Sequence, residues 1–137
     1  TYLVKKRDGK LAFGPDWDFD IAMGNVNYGG ADSPAGWHIR NAPWFARLFE
    51  DPAFEQRVKA RWQEWKAEGA FEALLTSIDA HAHSLSRVQA RNFQLWDILS
   101  IYVWPNRVVT GSYDGEVAAM KNWLQLRIAW MDTELSR

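Results

Sequence analysis

The strongest constraint on the fold is the spacing of apolar residues near the C-terminal end of the sequence. Large apolar side chains follow one another there at intervals of three or four residues: Val117, Met120, Leu124, Ile128, Met131 and Leu135. This period places them on one face of an α-helix, which we predict from about Asp114 to Leu135. Because a long amphipathic helix is stabilised mainly by packing, other elements must cover that face. The sequence therefore predicts a helical domain that contains this last helix.

Helix-start signals and apolar periodicity predict further helices before it. Pro43 suits a first helical position, and Asp51 followed by Pro52 combines a capping side chain with a second such proline. We predict these helices over residues 43–50, 51–66 and 70–93. Residues 97–111 stay open between helix and strand, with a turn expected at Pro105-Asn106, because short apolar runs do not decide between the two.

The first residues predict a different element. Short apolar runs, Tyr2–Val4 and Leu11–Phe13, flank a polar stretch that contains Asp8-Gly9. Asp-Gly favours a type I′ turn, in which both central residues have positive φ. We therefore expect a β-hairpin over residues 2–13 and a fold class that is mainly α with an N-terminal β-hairpin.

Composition excludes several classes of protein. The 137 residues are 47% hydrophobic, contain no cysteine and carry a net charge of −1. Such a chain is globular rather than disordered, has no disulfide or thiolate zinc site, and offers no overall charge for binding nucleic acid. No run approaches the length of a membrane span, and no Gly-rich phosphate loop or nucleophile elbow is present.

The most distinctive stretch for function is Gly14–Asn25. Here Asp16, Asp18 and Asp20 alternate with Trp17 and Phe19. An extended chain would turn the carboxylates to one side and the aromatic rings to the other, where we expect them to anchor in a core. Converging carboxylates repel one another unless a cation or protons intervene, and divalent cations prefer such oxygen ligands. The sequence predicts a metal site, although the positions of an EF-hand glycine and glutamate are not matched.

The residues of this stretch also carry a family resemblance. Gly14-Pro15, Trp17-Asp18-Phe19-Asp20-Ile21-Ala22 and Gly24-Asn25 resemble the signature of the CotH (spore coat protein H) kinase-like family. Further similarity lies in Trp44-Phe45-x-Arg47-Leu48, in Asp51-Pro52-x-Phe54 and in the segments Lys121–Leu124 and Arg127–Asp132 of the last predicted helix. The resemblance therefore extends over nearly the whole chain.

The resemblance implies a set of roles for the aspartate segment. In that family Asp-Phe-Asp is taken as the counterpart of the protein-kinase Asp-Phe-Gly motif, whose first Asp holds the Mg²⁺ that bridges ATP phosphates. Asp18 would then be the metal ligand and Asp20 a second one. Asp16 carries little weight, because its position is usually apolar in the family pattern. Trp17, Phe19 and Asn25 would support the site, and Asn25 equally suits a simple turn.

The resemblance also implies an architecture and an activity. The chain would be the C-terminal part of one atypical protein-kinase-like domain, with the hairpin and aspartate segment in residues 1–25, a loop in 26–42 and a helical lobe in 43–137. The parent protein would transfer a phosphoryl group from ATP to a protein substrate, with Mg²⁺. The catalytic base and the phosphate-pairing lysine are expected upstream, so we expect this chain alone to be inactive. The compartment is not determined by the residues present; a spore-coat or exported parent is one option.

Alternatives remain open at this point. The parent could be a non-catalytic pseudokinase, or a structural module that binds a partner protein or glycan and uses the carboxylates for a structural cation such as Ca²⁺. His38, in the predicted loop, could reach a phosphate or act as a base. Of the nine tryptophans, we expect at least six in the core, with loop residues Trp37 and Trp104 as candidates for exposure. Apolar surface left by a missing lobe could support a homodimer.

Overall fold

The computed structural model describes residues 2–15 and 17–137. Within these residues the chain is mainly helical, with an N-terminal two-stranded antiparallel hairpin, as predicted. The elements are β1 Leu3–Lys5, β2 Leu11–Phe13, α1 Pro43–Phe49, α2 Pro52–Ala67, α3 Ala70–Ser84, α4 Ser86–Leu95 and α5 Tyr113–Leu135. None of the helices in the described ranges combines the length and the apolar character needed to cross a membrane.

The hairpin is confirmed, but its turn differs from the predicted type I′ turn. Leu3 pairs with Phe13 and Lys5 with Leu11, so residues 6–10 form the connection. The Gly9 N–H donates to the Lys6 carbonyl at 3.1 Å, and the positive φ falls on Asp8 rather than on both Asp8 and Gly9. The connection is longer than a two-residue type I′ turn because the polar residues on both sides of Asp8-Gly9 do not pair between the strands.

Local side chains set the helix ends. The Asp51 side chain accepts a hydrogen bond from the Ala53 N–H at 2.9 Å, which confirms the predicted cap of α2. The predicted helix over 70–93 is instead two helices, α3 and α4, with the junction at Leu85. The Leu85 N–H still donates to the His81 carbonyl at 3.0 Å, and the Ser84 hydroxyl donates to the same carbonyl at 2.8 Å. Apolar periodicity continues across this junction and therefore did not reveal it.

Helix α5 packs against α2 and α3 and supplies two of the buried apolar side chains, Leu124 and Leu135. Trp62 of α2 is buried as well, and its ring lies 4.4 Å from that of Phe71 on α3. The prediction that at least six tryptophans lie in the core is wrong. The exposed ones are Trp17, Trp44, Trp65, Trp96 and Trp104. Helical spacing identifies an apolar face but not whether another element covers it.

Candidate functional site

The aspartate segment does not have the predicted extended conformation. Asp18 has φ 64°, in the left-handed region, which Asp tolerates better than most residues. Trp17 and Phe19 are 69% and 65% exposed, so they do not anchor the segment in a core. The left-handed residue between them breaks the alternation on which that prediction depended. Asp16, the weakest of the three metal candidates, lies outside the described residues.

Two of the predicted metal ligands nevertheless lie together. A hydrogen bond between the side chains of Asp18 and Asp20 raises the pKa of Asp18 above its usual value. The negative charge of Asp20 and slight desolvation act in the same direction. Two carboxylates held this close repel each other at neutral pH unless a proton or a cation lies between them. Their oxygens are of the kind that a divalent cation prefers as ligands.

Successive turns hold the residues that follow the pair. The Ala22 N–H donates to the Phe19 carbonyl at 3.0 Å, and the Asn25 N–H donates to the Ala22 carbonyl at 3.1 Å. The Asn25 side-chain amide donates to the Asp20 carbonyl at 3.0 Å. Asn25 therefore both takes part in a turn and braces the backbone of Asp20, which combines the two roles that the sequence left open.

A cavity of about 480 Å³ opens beside Asp20. Its wall is formed by the segment around Asp20 and Met23, by the irregular chain between α4 and α5, and by the first half of α5. Most of the wall is apolar and includes Phe93, Ile98 and Met120, and the polar side chains of Asp20, Asn25 and Arg107 also line it. A mostly apolar cleft of this size with a few polar groups is typical of ligand sites. Residues 97–111 were not recognised as part of the site from sequence because their apolar run has no clear period.

The remaining sequence candidates lie elsewhere or have ordinary contacts. The His38 ring bonds through Nε2 to the Ser33 carbonyl at 3.1 Å, within the loop. Trp37, a candidate for exposure, is instead half-buried, and its ring meets that of Trp130 on α5 edge to face at 4.9 Å. Trp104 is exposed. In residues 2–15 and 17–137, no group of three or more His, Asp or Glu side chains is arranged so that it could hold a metal ion by itself.

The donor set suits magnesium. Mg²⁺ is usually bound by one or two carboxylates together with waters and substrate phosphates, whereas Ca²⁺ takes six to eight oxygen ligands. Asp18 and Asp20 provide two exposed carboxylates, and Asp20 lines an open cavity. This arrangement leaves room for phosphate oxygens or water to complete a coordination sphere.

Comparison with known proteins adds the family. The family model described as CotH kinase protein matches residues 1–131. No curated protein and no solved structure gives a significant match. The matched range includes the hairpin, the aspartate segment and almost all of α5. The chain belongs to the CotH kinase protein family.

Proposed function

We propose that this chain is the metal-binding, C-terminal part of a protein kinase domain that uses ATP and Mg²⁺. One observation carries the proposal: the CotH kinase protein family model matches a range that contains Asp18 and Asp20, and Asp20 lies close enough to raise the pKa of Asp18. In this proposal Asp18 is the principal magnesium ligand and Asp20 the second. A bound Mg²⁺ would neutralise charge on the transferring phosphate group.

The residues around the pair support this role. Asn25 fixes the Asp20 carbonyl, and the cavity beside Asp20 gives a reactant access to the carboxylates. Phosphoryl transfer depends largely on positioning and electrostatic stabilisation, which fixed carboxylates can provide.

The chain by itself does not supply the whole reaction in this proposal. The general base and the lysine that pairs with the phosphates come from sequence upstream of Asp18 in the parent protein. We therefore expect the 137-residue chain to bind a divalent cation but not to transfer phosphate. Its substrate in the parent would be a protein hydroxyl group.

The test is calorimetric binding of Mg·ATP to the longest natural protein that contains this chain. Wild type is compared with Asp18→Asn and with Asp8→Asn, a matched control because Asp8 is also exposed and also has positive φ, at 60°. Loss of binding in Asp18→Asn alone supports the proposal. Unchanged binding in Asp18→Asn rejects Asp18 as the ligand, and no binding by wild type rejects the kinase function.

A second function is favoured by one exposed aromatic pair. Trp104 is 68% exposed and stacks on Tyr28, with ring centroids 5.9 Å apart. Exposed Trp and Tyr rings are frequent anchors for binding partners. In this alternative the parent is a pseudokinase or a partner- or glycan-binding module, and the carboxylate pair holds a structural cation such as Ca²⁺. Partner or glycan binding that Trp104→Ala abolishes, without Mg·ATP binding by the wild type, would select it.

A further inference from the structure

One face of α5 holds the loop that follows the aspartate segment. Trp123, Arg127 and Trp130 are spaced by four and three residues and so share that face. The Trp123 indole N–H donates to the Asp32 carbonyl at 2.6 Å. Arg127 donates through Nη1 to the carbonyls of Pro34 and Gly36, at 3.1 and 2.7 Å. The loop is therefore fixed at several backbone positions rather than lying free on the surface.

Trp123 also contacts the end of the aspartate segment itself. The Gly24 backbone lies so close to the Trp123 ring that a Cβ placed on Gly24 would overlap the indole. Arg107 fixes the same residue from another side, because its Nε donates to the Gly24 carbonyl at 3.2 Å. Val26, two residues further on, is only 2% exposed. Gly24 is thus held between α5 and the irregular segment that connects α4 to α5.

The contacts continue from Gly24 to the carboxylate pair. Gly24 is followed by Asn25, whose side chain donates to the Asp20 carbonyl, and the Asn25 N–H closes the turn to Ala22. A displacement of Gly24 would therefore move Asn25 and, with it, the backbone of Asp20. Residues that orient metal ligands in this indirect way commonly affect metal affinity strongly.

We infer that Trp123 is a positioning residue for the Asp18–Asp20 pair, which it holds in place through Gly24 and Asn25. The inference rests on the proposed metal-binding function, but its mechanical part, the contact of Trp123 with the aspartate segment, does not. Trp123 donates its hydrogen bond to the Asp32 carbonyl and not to either carboxylate. It acts by keeping the turns of residues 19–25 in one conformation, so that the ligands are already arranged before a cation binds.

The first measurement tests the mechanical part without metal. Amide hydrogen exchange is followed at Ala22 and Asn25 in wild type, in Trp123→Phe and in Trp65→Phe, a control at an exposed tryptophan of α2. Trp123→Phe removes the indole N–H and one ring, and we expect exchange at both amides to rise by about tenfold as the turns open more often. Unchanged exchange in Trp123→Phe would overturn the inference.

The second measurement links the contact to metal binding. Mn²⁺, used as a paramagnetic substitute for Mg²⁺, is titrated into the 137-residue protein and followed by electron paramagnetic resonance. We expect Asp18→Asn to abolish the site, Trp123→Phe to weaken it by about tenfold, and Trp65→Phe to leave it unchanged. Faster exchange together with wild-type Mn²⁺ affinity in Trp123→Phe would reject the positioning role.

Two controls keep the outcomes separate. If wild type binds no Mn²⁺ while Trp123→Phe still accelerates exchange, the proposed metal function fails and the contact itself stands. If Trp123→Phe does not fold, Arg107→Met tests the same residue from the other side, since it removes the donor to the Gly24 carbonyl. Arg107 lies outside the helices, and we expect its loss to accelerate exchange at Asn25; no change there would overturn the inference.

Discussion

The indole N–H of Trp62 on α2 donates to Oδ1 of Asp132 on α5 at 3.2 Å. The other carboxylate oxygen accepts a hydrogen bond from the Lys66 ammonium, one turn further along α2, at 2.6 Å. A single carboxylate therefore joins two helices that are distant in sequence. Because Trp62 is buried, its N–H depends on this acceptor within the protein.

Substitutions at Asp132 should separate these two bonds. Asp132→Asn keeps an oxygen for Trp62 but loses the ion pair with the largely exposed Lys66, and we expect it to lower the free energy of unfolding by about 0.5 kcal/mol. Asp132→Ala leaves the Trp62 N–H without a partner and should lower it by about 1–3 kcal/mol. Urea unfolding of both variants gives the comparison. Equal losses in the two would show that the Trp62 bond contributes nothing.

The same carboxylate predicts a pH dependence of stability. The hydrogen bond from Lys66, then that from Trp62, lowers the pKa of Asp132 in the folded protein, with desolvation acting weakly in the opposite direction. A carboxyl group with a lowered folded pKa stabilises the fold above its unfolded pKa, and the contribution disappears as pH falls through the folded pKa. The difference in unfolding free energy between wild type and Asp132→Asn should therefore shrink toward acid pH. A difference that stays constant from neutral pH to strongly acid pH would contradict this assignment.

The helices and the hairpin could be predicted from the sequence because the signals for them are local. The apolar period of α5, the Asp51 cap of α2 and the positive-φ signal at Asp8 act within a few residues, and the structure contains the corresponding elements. The junction at Leu85 was missed for a similar reason. Apolar periodicity continues through Leu85 and does not register that one helix ends and another begins there.

The surroundings of the candidate site could not be predicted, because they depend on contacts between distant residues. Trp123 and Arg127 lie beside the predicted apolar face of α5, and they bind carbonyls of the loop through their N–H groups. Trp17 and Phe19 alternate with aspartates as in a strand with one buried face. The backbone at Asp18 is left-handed, however, and both aromatic side chains are exposed. The proximity of Asp18 and Asp20 was predicted from an extended chain, but it occurs around a left-handed Asp18.

Replacement of Asp18 should stabilise the protein in the absence of metal. The pKa of Asp18 is raised in the folded state, first by its hydrogen bond with Asp20 and then by the charge of Asp20. A carboxyl group with a raised folded pKa destabilises the fold progressively as pH rises from its unfolded pKa through its folded pKa. Asp18→Asn removes that repulsion, so we expect a small rise in melting temperature at neutral pH and none at strongly acid pH.

The control for this effect is Asp8→Asn, which changes an exposed left-handed aspartate in the hairpin. Asp8→Asn should leave the melting temperature unchanged, since asparagine tolerates the same left-handed backbone conformation as aspartate. Addition of Mg²⁺ should raise the melting temperature of wild type but not that of Asp18→Asn. A lower melting temperature for Asp18→Asn at neutral pH would show that the two carboxylates do not repel each other in the folded protein.

The buried valine of the loop predicts that this segment is part of the folded core. Val26 is 2% exposed, although it lies between the aspartate segment and α1, outside any helix or strand. We expect Val26→Ala to lower the free energy of unfolding by about 1–3 kcal/mol through lost apolar burial and a residual cavity. Val88→Ala, at an exposed position of α4, is the matched control and should have little effect. Equal effects in denaturant unfolding would mean that the loop contributes nothing to the stability of the helices.

The approach of Gly24 to Trp123 can be measured against a glycine with the same backbone conformation. Gly24 and Gly30 have φ of 78° and 71°, but a Cβ on Gly30 meets no atom within 4 Å, whereas one on Gly24 would overlap the indole. Both substitutions by alanine include the cost of a left-handed residue, about 1–2 kcal/mol. Only Gly24→Ala adds the cost of overpacking, so it should lower the free energy of unfolding by about 1–3 kcal/mol more than Gly30→Ala does. Equal losses in urea unfolding would mean that Trp123 does not press on Gly24, and the positioning role of Trp123 would lose its structural basis.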